Sequence, residues 1–295
     1  MARMRRGARN AQRDYRFLMT KITDKFPRLP KSYKGFYPFK LSTTSFIYPD
    51  NYIPNVRLLG PYFDEIELLL FDSRDVESLF PKSVVDDLNR LAKDLDIGYN
   101  VHLPTDISIC NPDARLQQRA VESYKKTIER MLPLNPSTFF LHVPFNEDDA
   151  HMVTVEKWRD SVRSNLDRLR GGRIEGSLIS IETLDYPVDL IEDIVMDLNL
   201  TICMDVGHLI LYGYDFMEIF NRNSSRISSI HLHGVENNQD HLAIDRLAQQ
   251  HIQPVVETLK HFEGVLSVEV FSYDYLNPSL LALERWWNKS NASGT

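Results

Sequence analysis

The chain has 295 residues, 43% of them hydrophobic, enough to bury one large core and ordinary for a single α/β barrel domain. Its net charge of −7 is uneven: residues 1–40 hold 12 Lys/Arg against 2 Asp/Glu, whereas residues 41–295 hold 22 against 39. The acidic bulk argues against a nucleic-acid binder, whose affinity rests on many Lys/Arg contacts to phosphates, and no apolar run approaches the roughly 20 residues that span a bilayer.

Residues 1–39 read as a basic N-terminal leader, a solvated and partly disordered arm to which no function is assigned. Its start, "MARMRRGARNAQRDYRF", has positive charge with no apolar segment behind it, so no cleaved signal is expected. Cys110 and Cys203 lie far apart and match no metal or redox spacing, which fits a reducing cytoplasm. From residue 40 to 295, short apolar runs alternate with helix-length polar segments, the rhythm of repeated βα units around a parallel sheet. The expected strands are 40–49, 65–73, 97–104, 137–145, 177–184, 200–209, 227–235 and 266–272. The helical stretches are 81–96, 113–132, 151–171, 186–199, 215–225 and 242–262, with a last amphipathic helix in "LNPSLLALERWWNKS". In 81–96 the apolar residues Val84, Val85, Leu88, Leu91 and Leu95 recur every three or four positions, as in a helix with one face on a sheet. Trp286 and Trp287 read as packing residues. Eight strands with intervening helices make a single-domain (β/α)8 TIM barrel the expected architecture.

In such a barrel the active site forms at the C-terminal ends of the strands, so titratable residues late in a strand are informative. His102, His142, Glu182, Asp205, His231, His233 and Glu269 all stand there. Each alone reads equally as a hydrogen-bonded core residue. Together they would place costly groups around one mouth, and burying Asp, Glu and His requires partners or a cation. Imidazole with carboxylate is a ligand mix for zinc, manganese, iron or cobalt, whereas calcium and magnesium favour oxygen. Zinc is the expected ion, and the ligands exceed what one ion uses, so two or three are expected. Asp205 is expected to end strand six, with His208 in the loop above it. Asp240 and His241, in the loop after strand seven, add a further pair; a solvated loop with a helix N-cap is the plainer reading of that pair.

The strand-end series "VHLP", "LHVP", "IETL", "MDVGH", "IHLHG" and "DH" resembles the xylose-isomerase-like barrel superfamily, which includes sugar-phosphate isomerases and epimerases and the endonuclease IV type of nuclease. More narrowly, "LSTTSFIYPDNYIPNVRLL", "YNVHLPTD", "CMDVGHL" and "IHLHGV" with its "DH" resemble the cobamide-remodelling phosphodiesterases. The resemblance runs from about residue 40 to about 272. It implies a one-ion set on Glu182, Asp205, His231 and Glu269, a second on His102, His142 and Glu182, and a third on His208, Asp240 and His241. Glu182 would bridge two ions. Adjacent Asp240 and His241 depart from the nuclease pattern, which spaces that pair by one residue, and either His231 or His233 fits the strand-seven ligand, with His231 favoured by its spacing to Asp240.

The resemblance implies a metal-dependent phosphodiester hydrolase cutting the nucleotide loop of a cobamide, a small-molecule corrinoid substrate, to release a cobinamide-type product. Bound cations would also let an acidic barrel hold an anion. The alternative is a sugar or sugar-phosphate isomerase or epimerase with one divalent ion, in which Glu182 and Glu269 are the catalytic pair exchanging a proton beside a carbonyl. An endonuclease IV-like DNA repair enzyme would share the metals but need a basic rim. A barrel that merely carries a metal or corrinoid is the non-enzymatic reading. The sequence has no Gly-rich phosphate loop, Ser/His/Asp nucleophile set or helical His-Glu-x-x-His site.

Overall fold

Residues 25–73, 80–145 and 154–292 are described by the structure, a computed structural model. The barrel strands are β1 (Lys40–Thr44), β2 (Glu65–Leu69), β3 (Gly98–His102), β4 (Phe139–Leu141), β5 (Ile179–Glu182), β6 (Thr201–Asp205) and β7 (Ile227–Leu232). A hairpin, β8 (Gly234–Glu236) with β9 (Gln239–Leu242), follows β7, and β10 (Val265–Val268) is the last strand. Each barrel strand pairs in parallel with its neighbour, and β10 closes on β1 with Leu41 opposite Leu266. This is the (β/α)8 barrel expected from the sequence; seven strands fall within the anticipated stretches, and β10 begins one residue ahead of its own, at Val265.

Helices α1 (Tyr52–Leu59), α2 (Lys82–Leu95), α3 (Ala114–Met131), α4 (Val155–Arg170), α5 (Glu192–Asp197), α6 (Val206–Leu211), α7 (Phe216–Asn223), α8 (Gln249–Lys260) and α9 (Tyr273–Ala292) fill the connections. Local chemistry sets their ends. Asp113 accepts from the Arg115 amide at the start of α3, Thr154 from Lys157 at α4 and Asp215 from Met217 and Glu218 at α7. Along α2, Val85, Leu88 and Leu91 are buried at the spacing that faces a sheet.

The structure corrects several boundaries. The first strand stops at Thr44, and α1 occupies part of what read as irregular chain; Pro54 sits in its first turn, where a missing N–H costs nothing. The stretch 200–209 is a strand only to Asp205, because α6 begins at Val206. The helix expected over 242–262 begins at Gln249, after the hairpin and a short 3-10 turn. The anticipated start of the 151–171 helix partly lies outside the described residues, as do residues 1–24. Ahead of β1, Tyr37 stacks on Phe39 at 4.9 Å, and Trp287 of α9 meets both rings edge-on at 5.5 and 5.7 Å. Trp287 is therefore a packing residue, as its sequence context indicated.

Alternation along the strands decides what the barrel offers. Outward positions such as Ile66, Leu68, Val101, Phe139, Leu141, Ile179, Ile202, Leu232 and Leu266 are fully buried and apolar, under the helices. The intervening positions point into the bore, and most are polar: Ser42, Glu65, Glu67, Asn100, His102, Ser180, Glu182, Asp205, Ser229, His231 and Ser267, all buried. At the N-terminal end Glu65 closes this bore, accepting from Lys40 at 2.9 Å, Asn100 at 3.2 Å and Ser137 at 2.6 Å. Gly98 faces it in the next strand, where a Cβ would stand 3.0 Å from Glu65 Cγ. No helix among the described residues is long and apolar enough to cross a membrane.

Candidate metal centre

The titratable side chains meet at the opposite, C-terminal end of the bore. His102 ends β3, His142 follows β4, Glu182 ends β5, Asp205 ends β6, His231 lies in β7 with His233 just beyond it, and Glu269 follows β10. Glu182 is the hub. Its Oε2 stands 3.1 Å from His102 Nε2, 3.2 Å from His142 Nε2 and 3.6 Å from His231 Nδ1, and its Oε1 stands 3.6 Å from His208 Nδ1. His231 Nδ1 is also 3.1 Å from Glu269 Oε2 and 3.9 Å from Asp205 Oδ2.

Asp205 and His208 are three residues apart because the aspartate caps α6. Asp205 Oδ1 accepts from the His208 amide at 2.8 Å, which places His208 on the first turn of that helix and not in a loop. The cap leaves Asp205 Oδ2 aimed at His208 Nδ1, 3.5 Å away. Asp240 and His241 also do not lie in a loop but on β9, after a turn in which Asn237 and Asn238 both take positive φ, 53° and 59°. His241 reaches the mouth, with Nδ1 donating to the Glu269 carbonyl at 3.2 Å. Asp240 stays half-exposed, with Oδ2 3.8 Å from His208 Nε2. His231 and His233 both reach the site, in different surroundings.

Four groupings among the described residues bring candidate ligand atoms within 4.8 Å of one another: His102, His142 and Glu182; Glu182, Asp205, His231 and Glu269; His208, His233 and His241; and Glu182, Cys203 and His231. Burial pushes the Cys203 thiol well up and keeps it protonated. Two atoms on one zinc ion at about 2.0–2.2 Å and a tetrahedral angle stand about 3.3–3.6 Å apart. The distances around Glu182 scatter about that range.

Hydrogen bonding makes the same point. Among the described residues, buried His142 Nε2, His231 Nδ1 and Nε2, His233 Nε2, Asp205 Oδ2 and Glu269 Oε2 have no hydrogen-bond partner, although they face one another closely. Orphaned buried groups are costly unless something between them answers their lone pairs. His102 is explicit: Nδ1 donates to the Leu103 carbonyl at 3.0 Å, so a neutral ring turns the Nε2 lone pair onto a Glu182 lone pair. Only a proton or a cation reconciles them, and the donor set fits a divalent transition metal.

Without an ion, protons do this work. Burial opposes charge on His102, but the hydrogen bond and charge of Glu182 lift it to about 9. Burial likewise opposes ionised Glu182, yet His142 and His231 hold it well below the usual carboxylate range. For Asp205 burial is outweighed by His208 and His233, and for Glu269 by His231, which brings the latter to about 2.

Glu67 was missed in the sequence. It lines the bore below this cluster, accepts from Ser267 and stands 3.7 Å from His231 Nε2; burial pushes it up to about 7. Its signal was the spacing of Glu65 and Glu67 in "EIELLL", two carboxylates on one face of a buried strand. An aromatic rim was missed as well. Phe46, Phe71 and Phe271 follow β1, β2 and β10; Phe46 and Phe71 meet at 4.7 Å, Phe71 and Phe271 at 6.5 Å, and Phe271 touches His241 at 4.9 Å. Phe71 and Phe271 are 49% and 39% exposed, unusual for rings in contact.

A family model described as xylose isomerase-like TIM barrel matches residues 55–291. No curated protein matches the chain by sequence. Among solved structures, the fold is similar to that of a D-tagatose 3-epimerase-like protein (TM-score 0.72, 18% identity, covering 87% of this chain and 100% of that one). It is also similar to the IOLI protein with a binding zinc atom (0.65, 15%, 84% and 96%). A third is endonuclease IV from Thermus thermophilus (0.64, 14%, 85% and 99%). At these identities the likeness is one of fold.

Proposed function

The chain belongs to the xylose isomerase-like TIM barrel family, and from that premise we propose that it is a metal-dependent phosphodiester hydrolase acting on a corrinoid of the cobamide class. The surplus of imidazole carries the hydrolase reading. Glu182, Asp205, His231 and Glu269 suffice for one ion, yet His102, His142 and His208 also crowd within 3.6 Å of Glu182. Two or three divalent ions, zinc first among them, account for these side chains: one on His102, His142 and Glu182, one on Glu182, Asp205, His231 and Glu269, and a third drawing on His208, His241 and Asp240.

When bound, such ions supply positive charge for the phosphate oxygens and bring the pKa of water down to about 7. The chain supplies the rest. Glu182 and Glu269, both held ionised at neutral pH, position the ions and can take up the proton that the attacking water gives away. Hydrolysis adds that water across one P–O ester bond: its oxygen joins phosphorus, the bond to the alcohol oxygen breaks, and the alcohol leaves with a proton. The rim of exposed Phe71 and Phe271, backed by the partly buried Phe46, supports a substrate with a large apolar face, as a corrin ring has. The corrinoid itself rests on the resemblance of "LSTTSFIYPDNYIPNVRLL" and the strand-end motifs to the cobamide-remodelling enzymes.

Protein reloaded with zinc, manganese or cobalt is incubated with cobalamin and with pseudocobalamin, and products are followed by mass spectrometry. A cobinamide-type product is expected; its absence with every metal removes the corrinoid. A sugar epimerase is the second reading, favoured by Glu182 and Glu269 meeting at His231. Elemental analysis separates the two, since one tightly held ion per chain would favour the epimerase.

A further inference from the structure

We propose that His233 is not a ligand but a positioning residue, which holds Asp205 so that one carboxylate oxygen is left for the ion. This rests on the metal-centre reading above and concerns which lone pairs are free. His102 and His241 donate Nδ1–H to the carbonyls of Leu103 and Glu269, and His208 Nδ1 faces the Thr183 carbonyl at 3.3 Å. Each of these neutral rings therefore presents Nε2 as a lone pair, the arrangement by which second-shell acceptors fix a ligating tautomer.

His233 is wired the other way. The backbone N–H of His241 donates to His233 Nδ1 at 3.0 Å, so Nδ1 is an acceptor and the neutral ring carries its proton on Nε2. That nitrogen stands 3.1 Å from Asp205 Oδ1, as an electrostatic contact that is not aligned as a hydrogen bond. A second proton on Nδ1 could reach the Gly234 carbonyl at 3.3 Å, but it would confront the His241 N–H across the shorter contact, and the amide direction decides for the neutral form. With its one lone pair engaged by the His241 amide and its proton on the nitrogen beside Asp205, His233 has no lone pair to offer a cation, although its ring lies among His208 and His241.

Asp205 shows the complementary arrangement. Oδ1 is occupied by the His208 amide and faces His233, whereas Oδ2 has no hydrogen-bond partner and looks toward His208 and His231. The sequence provides a seat for this ring. A Cβ on Gly207 would fall 2.0–2.4 Å from three ring atoms of His233, so the glycine of "MDVGH" is the space the imidazole fills. The third ion is then left with His208, His241 and Asp240.

The test uses full-length protein stripped with chelator, reloaded with zinc and counted by elemental analysis. His233→Gln keeps an oxygen to accept from His241 and an N–H for Asp205 but is a poor zinc ligand. It should retain the wild-type zinc count, while His233→Ala and Gly207→Ala should weaken zinc binding about 10–100-fold, the usual effect of removing an outer partner. Loss of one zinc equivalent in His233→Gln overturns the proposal. Wild-type protein that binds no zinc instead overturns the metal-centre reading. If a variant does not fold, imidazole ¹⁵N shifts of the zinc-loaded wild type decide: an Nε2-protonated His233 unmoved by zinc is expected, and a zinc-shifted resonance refutes it.

Discussion

Glu182→Gln tests the centre at the side chain its first two groupings share. The buried carboxylate stands 3.1–3.6 Å from the imidazole nitrogens of His102, His142, His208 and His231. Glutamine keeps the shape but loses the charge and offers only an amide oxygen. Outer partners of a metal site are worth about 10–100-fold in affinity, and a charged ligand is worth more, so about 100–1,000-fold is expected for each ion that uses it. That is about 2.7–4.1 kcal/mol per ion. Zinc at 1,000 times its Kd stabilises the folded chain by about 4.1 kcal/mol per ion, and about 1 kcal/mol moves the melting temperature of a chain this long by about 2 °C. Calorimetry of the wild type after chelation and again with zinc should therefore show a rise of about 8 °C per ion. The variant should forfeit about 5–8 °C of it at each grouping containing Glu182. Comparing the chelated proteins isolates any metal-independent cost. A variant with wild-type zinc content and a wild-type rise would refute the reasoning.

His102 predicts a pH dependence. Because Glu182 lifts its pKa from 6.5 to about 9 in the metal-free fold, it contributes stability that is complete below about pH 6.5 and lost as the pH climbs through about 9. Denaturant midpoints of chelated protein should fall across that window. Zinc must displace this proton, so calorimetric titrations at pH 7 in buffers of different ionisation enthalpy should register proton release, and a buffer-independent heat would count against the site. Phe140→Ala removes a fully buried bore ring whose centroid lies 4.5 Å from that of His231, and should cost about 3–5 kcal/mol in urea unfolding; less than 1 kcal/mol would show that the bore collapses around the gap. Replacing Phe71 and Phe271 together by alanine should raise KM for a corrinoid several-fold and leave the zinc count unchanged, and an unaltered KM would remove the rim from substrate binding.

Much of this was legible because barrels put chemistry at strand ends. His102, Glu182 and Asp205 close their strands, and a titratable residue there after alternating apolar positions can hardly face anything but the bore. What escaped was set by short-range geometry. His208 read as a loop residue because the capping function of Asp205 competes with continuation of the strand, and nothing in "MDVGH" signals a helix of one and a half turns. The hairpin carrying His241 was written in Asn237-Asn238, two residues that tolerate positive φ and so suit a tight turn. Glu67 hid in a strand whose alternation looked ordinary, since one carboxylate in a buried row could as easily have faced solvent. The wiring of His233 depends on one amide direction and cannot be read from composition or spacing.

The ion-paired layer around Glu65 stoppers the bore from below, with Lys40, Asn100 and Ser137 drawn onto a single carboxylate. Cations, water, substrate and product must then share the doorway that Phe71 and Phe271 overhang. A bulky guest seated there would act as a lid, so zinc-loaded protein should surrender the metal to a chelator more slowly while the doorway is occupied than while it is empty.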